Sequence, residues 1–217
     1  MDLASAAPSV RDQPVPLAAG AALLRGFVAT AVDEPALLAD LSAVTAAAPF
    51  RHLITPGGFR MSVAMTNCGP LGWISDHDGY RYVPVDPDSG RPWPALPASF
   101  LRLAHAAAAT AGFDGFVPDA CLVNRYLPGT RLTLHQDRNE RDFSAPIVSV
   151  SLGLSALFLF GGDSRRERPA RIPLHHGDVV VWGGPARLRY HGIAPLPAGE
   201  HPTLGACRIN LTFRRAG

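Results

Sequence analysis

With 217 residues, 47% of them hydrophobic and 18% charged, the chain has the balance of a globular protein and enough length for one substantial core. No apolar run reaches the roughly 18 residues a membrane-spanning helix needs, and a net charge of +2 permits a polyanionic partner without requiring one. All 20 basic residues are arginine, the side chain that forks onto carboxylates and phosphates.

Residues 1–16 have small residues and one early acid, with no basic segment leading into an apolar one. They read as a disordered leader and not a signal peptide, which makes the cytoplasm the expected location and 17–217 one domain. A first strand is expected over 22–28. Asp33 then offers an N-cap, and Leu37, Leu38, Leu41, Val44 and Ala48 fall at helical spacing until Pro49 stops the run. Met61, Val63 and Met65 alternate with Ser62, Ala64 and Thr66, the pattern of a strand over 61–68. The segment 69–97 is rich in proline, glycine and aromatic residues with no long period, and reads as a lid of short strands and turns. A second helix starts at Pro97 and ends at Gly112.

Beyond Pro118 the pattern is β throughout, with strands expected over 120–126, 132–137, 147–154, 157–160, 171–174, 179–182, 187–191 and 208–214. Their close spacing between glycine-containing turns indicates a sandwich or jelly roll, and the fold class is α+β with two helices over one outer face. Cys68, Cys121 and Cys207 are odd in number, far apart and strand-borne, which suits buried free thiols.

The stretch Leu132-Thr-Leu-His-Gln-Asp137 carries the chemistry. Its period-2 alternation sends His135 and Asp137 to one side of a strand, where an imidazole and a carboxylate can take adjacent positions on a divalent metal. A second histidine would complete the two-His, one-carboxylate set that leaves open positions on non-haem Fe(II). His191, opening a turn before an apolar segment, is the candidate. His52, His77, His105 and His201 read as ordinary core or surface groups, and His175 and His176 as exposed at a turn.

On the last strand Arg208, Asn210, Thr212 and Arg214 share one face, and Ile209, Leu211 and Phe213 the other. Inward-facing guanidinium groups need an anion. Fully extended, Arg208 and Arg214 lie roughly 20 Å apart, so a dicarboxylate aided by side-chain reach, or two anions, is required. Asn124 and Tyr126 share a face of their own strand and supply neutral donors for such a ligand.

Together, His135-Gln-Asp137, His191 and Arg208-Ile-Asn210-Leu-Thr-Phe-Arg214 resemble the AlkB family of Fe(II)- and 2-oxoglutarate-dependent nucleic-acid demethylases. Asn124-Arg-Tyr126-Leu-Pro-Gly, Thr55-Pro-Gly-Gly, Met61-Ser-Val-Ala-Met65-Thr-Asn-Cys-Gly and 177–184 are also similar to that family, over about 17–217. The resemblance implies a double-stranded β-helix with outer helices and a nucleotide-recognition lid. It implies iron on His135, Asp137 and His191. It also implies 2-oxoglutarate held by Arg208, Asn210 and Tyr126 at its distal carboxylate and by Arg214 and Asn124 at the other, with O₂ as co-substrate. An N-methyl carbon would be hydroxylated and lost as formaldehyde, with succinate and CO₂ as the other products.

The implied substrate is an alkylated base, such as 1-methyladenine or 3-methylcytosine, in single-stranded DNA, with duplex DNA or RNA as further partners and no membrane. A monomer is expected. Trp73 and the ring of His135 would sandwich the flipped base, with Tyr80, Thr55, Arg165, Asn139 and Arg51 on the substrate side. Asn139 departs from the family, which has an acid there; Glu140 is a candidate substitute. A dioxygenase acting on a protein or small molecule, and a non-catalytic jelly-roll binder of nucleic acid, are the competing readings.

Overall fold

The computed structural model describes residues 13–217. In chain order the elements are β1 (Val15–Ala18), β2 (Ala21–Leu24), α1 (Val28–Ala31), α2 (Glu34–Ala47), β3 (Ala64–Cys68), β4 (Gly72–Asp76), β5 (Gly79–Val83), α3 (Ala98–Thr110), β6 (Ala120–Tyr126) and β7 (Leu132–His135). There follow β8 (Ile147–Gly153), β9 (Ala156–Phe160), β10 (Ala170–Leu174), β11 (Val179–Trp182), a 3₁₀ turn at Gly184–Ala186, β12 (His191–Ile193) and β13 (Arg208–Arg214). A seven-stranded sheet runs in the order β1-β2-β11-β8-β13-β6-β3, a four-stranded sheet in the order β10-β9-β12-β7, and β4 with β5 forms a separate hairpin.

The helices form where the sequence places them. Asp33 caps α2 by accepting from Ala36 N at 3.1 Å, satisfying one of the first-turn donors. Leu37, Leu41 and Val44 are its buried stripe. Phe100, Leu103, Ala104 and Ala107 are buried along α3, and Gly112 leaves its end at φ +85, a conformation glycine enters without strain. Both helices pack on one face of the large sheet, against Val123, Val148, Val150, Val181, Ile209, Leu211 and Phe213. Its opposite face meets the small sheet, where Tyr126, Val180 and Trp182 join Phe158, Phe160 and Ile193 in a second core. Two facing sheets with helices outside one of them make the jelly roll that the strand spacing implied.

Several boundaries differ from the sequence expectation. The first strand stops at Leu24, not at 28, because the buried carboxylate of Asp178 accepts from Gly26 N at 2.9 Å and from Arg25 Nη1 at 2.7 Å. That pull turns the chain into α1. Residues 15 and 16, assigned to the leader, belong to β1; residues 1–12 of that leader lie outside the described residues. The strand expected over 61–68 is regular only from Ala64. The strand expected over 187–191 is absent: a 3₁₀ turn at Gly184–Ala186 leads into a turn at 187–188, and His191 opens β12 instead of closing a strand. His176 is half-buried, with Nδ1 accepting from Gly153 N at 2.9 Å and Nε2 2.9 Å from Glu34. No helix among the described residues is long and apolar enough to cross a membrane.

Candidate metal centre and its cavity

Antiparallel pairing of β12 with β7 sets His191 directly opposite His135. The approach of the strands is close, since a Cβ on Gly192 would lie 2.6 Å from Leu132 O. The two imidazole centroids are 4.4 Å apart. Asp137, two residues beyond His135, brings its Oδ1 to 3.7 Å from His135 Nε2 and its Oδ2 to 3.6 Å from His191 Nε2. One ligand atom from each residue lies within 4.8 Å of the other two, a spacing that one divalent ion can bridge.

The tautomers suit a metal as well. His135 Nδ1 is 2.8 Å from Thr133 O and His191 Nδ1 is 3.0 Å from Arg189 O. A carbonyl only accepts, so Nδ1 carries the proton and Nε2 presents its lone pair. Burial and the neighbouring His191 lower the pKa of His135 to about 4, which keeps the ring neutral at ordinary pH. Burial opposes the charge of Asp137, but Arg214 outweighs it and holds the carboxyl well below the usual range. Arg214 donates to Asp137 Oδ2 from Nη2 at 2.6 Å and from Nε at 3.0 Å. Burial depresses the pKa of this guanidinium, but Asp137, Tyr82 and Glu140 raise it further.

Every residue of β13 is buried, and the alternation read from the sequence holds: Arg208, Asn210, Thr212 and Arg214 line the space between the sheets. Arg208 is 1% exposed. Its Nη2 donates to Ser151 Oγ at 2.9 Å and its guanidinium lies 5.0 Å from the Tyr126 ring centroid. Among the described residues Nε and Nη1 have no hydrogen-bond partner, and neither does the buried Oδ1 of Asn124. A buried guanidinium with two unused donors and no carboxylate beside it is costly; an anionic ligand in this space would satisfy it. Asn210 differs from the expectation of a ligand donor, because Nδ2 already donates to Ser149 Oγ and Val150 O, each at 2.8 Å. It positions the strand face and has no donor left over.

The triad and the β13 face lie in one cavity of about 950 Å³, whose wall also includes Thr55, Trp73, Tyr80, Tyr126, Asn139 and Arg165. Trp73 sits on β4 and stacks on Tyr80 with centroids 5.6 Å apart and planes 11° from parallel. Tyr80 is exposed and shares the cavity wall with Trp73. Trp73 Nε1 donates to Asn139 Oδ1 at 3.2 Å, and Asn139 Nδ2 lies 3.5 Å from Tyr80 O, so Asn139 bridges the barrel to both strands of the lid hairpin. Thr55 closes a turn at the rim, its Oγ1 accepting from Phe59 N at 3.1 Å.

Two expected roles are overturned. Arg51 is not free to meet a phosphate: it is paired with Asp86 at 2.6 Å and with Asp88, lies over Trp93, and is absent from the wall of the main cavity. Glu140 is no substitute acid, because it is 6% exposed and turned inward. Tyr82 Oη donates to it at 2.6 Å, with Arg187 at 3.1 Å and Arg214 at 3.4 Å. The sequence reading missed Asn67, a buried amide whose Oδ1 accepts from Trp73 N at 2.9 Å and whose Nδ2 donates to Trp73 O at 3.0 Å. An amide in a strand that is buried throughout was its only signal. It also missed Arg187, which donates to Asp137 O at 2.8 Å.

Residues 20–214 match the sequence model of the 2OG-Fe(II) oxygenase superfamily. The chain is 57% identical over 202 residues to the alpha-ketoglutarate-dependent dioxygenase AlkB of Escherichia coli strain K12, covering 93% of each. It is 46% identical over 184 residues to the AlkB homolog of Caulobacter vibrioides, covering 84% of this chain and 82% of the relative. A solved structure of OsALKBH1 superposes with a TM-score of 0.80 at 26% identity, over 93% of this chain and 99% of that one.

Proposed function

The chain belongs to the 2OG-Fe(II) oxygenase superfamily and is an Fe(II)- and 2-oxoglutarate-dependent dioxygenase, and on that premise we propose that it oxidatively demethylates N-alkylated bases in nucleic acid, foremost single-stranded DNA and also RNA. One observation carries the reading: a two-His, one-carboxylate set lies in the same cavity as a lid aromatic and exposed arginines. That combination accepts a base taken out of its stack and a phosphate chain running past it.

In this reading His135 Nε2, Asp137 and His191 Nε2 hold the iron. Arg208, with Tyr126 beneath its guanidinium, takes the far carboxylate of 2-oxoglutarate; Arg214 and Asn124 face the near one. The unpartnered donors of Arg208 are the chemical grounds for the fit, and each charge-assisted hydrogen bond made there is worth about 1.5 to 3 kcal/mol. Iron and 2-oxoglutarate, when bound, supply the activation of O₂ that oxidises an N-methyl carbon while succinate and CO₂ leave.

The protein's own part is placement. Trp73 offers a ring face to the base, and the apolar wall of Phe158, Trp182 and Ile193 limits water around the oxidation. The backbone carbonyls behind His135 and His191 fix both ring tautomers. The hydroxymethyl group left on nitrogen breaks down to formaldehyde and the restored base.

Formaldehyde and succinate released from methylated oligonucleotides by anaerobically loaded, then aerated, enzyme test the proposal. His135→Ala is expected to keep the fold, by circular dichroism, while abolishing both products. Full turnover in that variant would rule out the iron assignment.

A further inference from the structure

Asp137 stands just past the end of β7, in a stretch 136–146 that contains neither helix nor strand. His191 arrives by a stretch 187–190 that belongs to no strand either. A metal ligand on irregular chain has no ladder of backbone hydrogen bonds to fix it, so its aim has to come from side chains around it.

Arg187 supplies that hold. It is 3% exposed, and its guanidinium donates from Nη1 to Asp137 O at 2.8 Å and from Nε to Ala145 O at 3.1 Å. Nη2 is 3.1 Å from Glu140 Oε2, and the group lies 5.2 Å from the Phe143 ring centroid. Pairing with Glu140 alone would neutralise the buried charge. The two carbonyl contacts are additional, and they fall at Asp137 itself and at the foot of β8. A planar group with five N–H donors can face several acceptors at once, which an ammonium on a flexible stem cannot. The hold is returned from the other side, where Gln136 Nε2 donates to Leu188 O at 2.5 Å. Gln136 lies between His135 and Asp137, and Leu188 follows Arg187 on the way to His191. The two stretches that bring the ligands are therefore joined in both directions, and neither link uses an imidazole or carboxylate atom of the triad.

Resting on the assignment of iron to His135, Asp137 and His191, we propose that Arg187, helped by Gln136, is a positioning residue of the metal centre. It locks the Asp137 loop to the His191 turn, so that the three ligands keep their spacing before a metal enters.

Co(II) is the probe, because it takes the same nitrogen and oxygen ligands as Fe(II) and its visible bands report the geometry around it. Calorimetric titration of the metal-free protein gives the affinity without any turnover. Arg187→Lys keeps a positive charge beside Glu140 and loses the fork; it is expected to weaken Co(II) binding by about 10- to 100-fold and to change the bands. Gln136→Met keeps the length of the side chain and removes the donor, with an expected loss of about fivefold. Leu103→Ala opens a gap in the core on the helix side of the large sheet. It is expected to lower stability in denaturant at least as much as Arg187→Lys does, with wild-type affinity and bands. An affinity of Arg187→Lys within about twofold of wild type, or a loss that Leu103→Ala reproduces, overturns the proposal. Should Arg187→Lys not fold, Gln136→Met decides by the same limit. Wild-type affinity and bands in His135→Ala would instead sink the iron assignment on which the proposal stands.

Discussion

The floor of the cavity and its mouth are built on different physical terms. On the floor, β13 is buried along its whole length and hydrogen-bonded on both sides, to β6 and to β8. Its polar side chains are held by Ser149, Ser151 and Asp137. At the mouth, the hairpin of β4 and β5 forms a sheet by itself, tied to the barrel through side chains such as Asn67, Asn139 and Glu140. Rigid strands suit groups that must aim at one metal and one small anion within fractions of an ångström. A hairpin held by those polar contacts and by a small apolar cluster of Ile74 with Ala48 and Trp93 suits a surface that must receive a polymer. The difference separates residues whose loss stops chemistry from residues whose loss changes what is bound.

Arg208→Met puts the sharpest strain on that contrast. It removes a buried guanidinium with two unpartnered nitrogens and keeps an apolar side chain of similar length, so thermal stability of the unliganded protein is expected to hold or rise. The KM for 2-oxoglutarate is expected to rise by about a hundredfold or more, on the order of the 3 kcal/mol of charge-assisted bonds lost. A fall in melting temperature with an unchanged KM would mean that the arginine is structural. Gly192→Ala comes next. Its Cβ would press on Leu132 O at 2.6 Å, wedge β12 away from β7 and separate His191 from His135. A loss of about 1 to 3 kcal/mol in denaturant unfolding, with weaker binding of Fe(II), is the expected outcome.

The smallest effect belongs to the mouth. Arg165→Gln is expected to lower oligonucleotide affinity and to reduce by about one the slope of log affinity against log salt. Arg51→Gln is expected to leave that slope unchanged, since Asp86 and Asp88 already neutralise it. Equal slopes for the two variants would erase the distinction between an arginine that meets phosphate and one that does not.

The same division explains what could be read from the sequence. The alternation over 208–214 is a period-2 signal, and a strand buried on both faces keeps it along its whole length; the strand expected over 132–137 ends at His135, so Asp137 reaches the site from the residues just beyond it. His191 stood out by its local setting, although the turn before it, 187–190, reads as a strand because Arg187, Leu188 and Arg189 also alternate. Partners far apart in sequence were not legible. Nothing near Arg51 announces that Asp86 will reach it, and nothing near Glu140 announces Tyr82, 58 residues earlier. Such pairings arise only when the sheets close. Asn210 was placed correctly on the inward face, but its satisfaction by Ser149 and Val150 depends on the register between β13 and β8, which period alone does not contain.

Each imidazole of the triad is tethered to the carbonyl of the residue two places before it, Thr133 for His135 and Arg189 for His191. Any amino acid provides that oxygen, so neither tether depends on what stands at 133 or 189. The aim of the two rings is thus carried by the main chain alone, and the side chains beside them are left open to vary with the substrate while the metal site stays as it is.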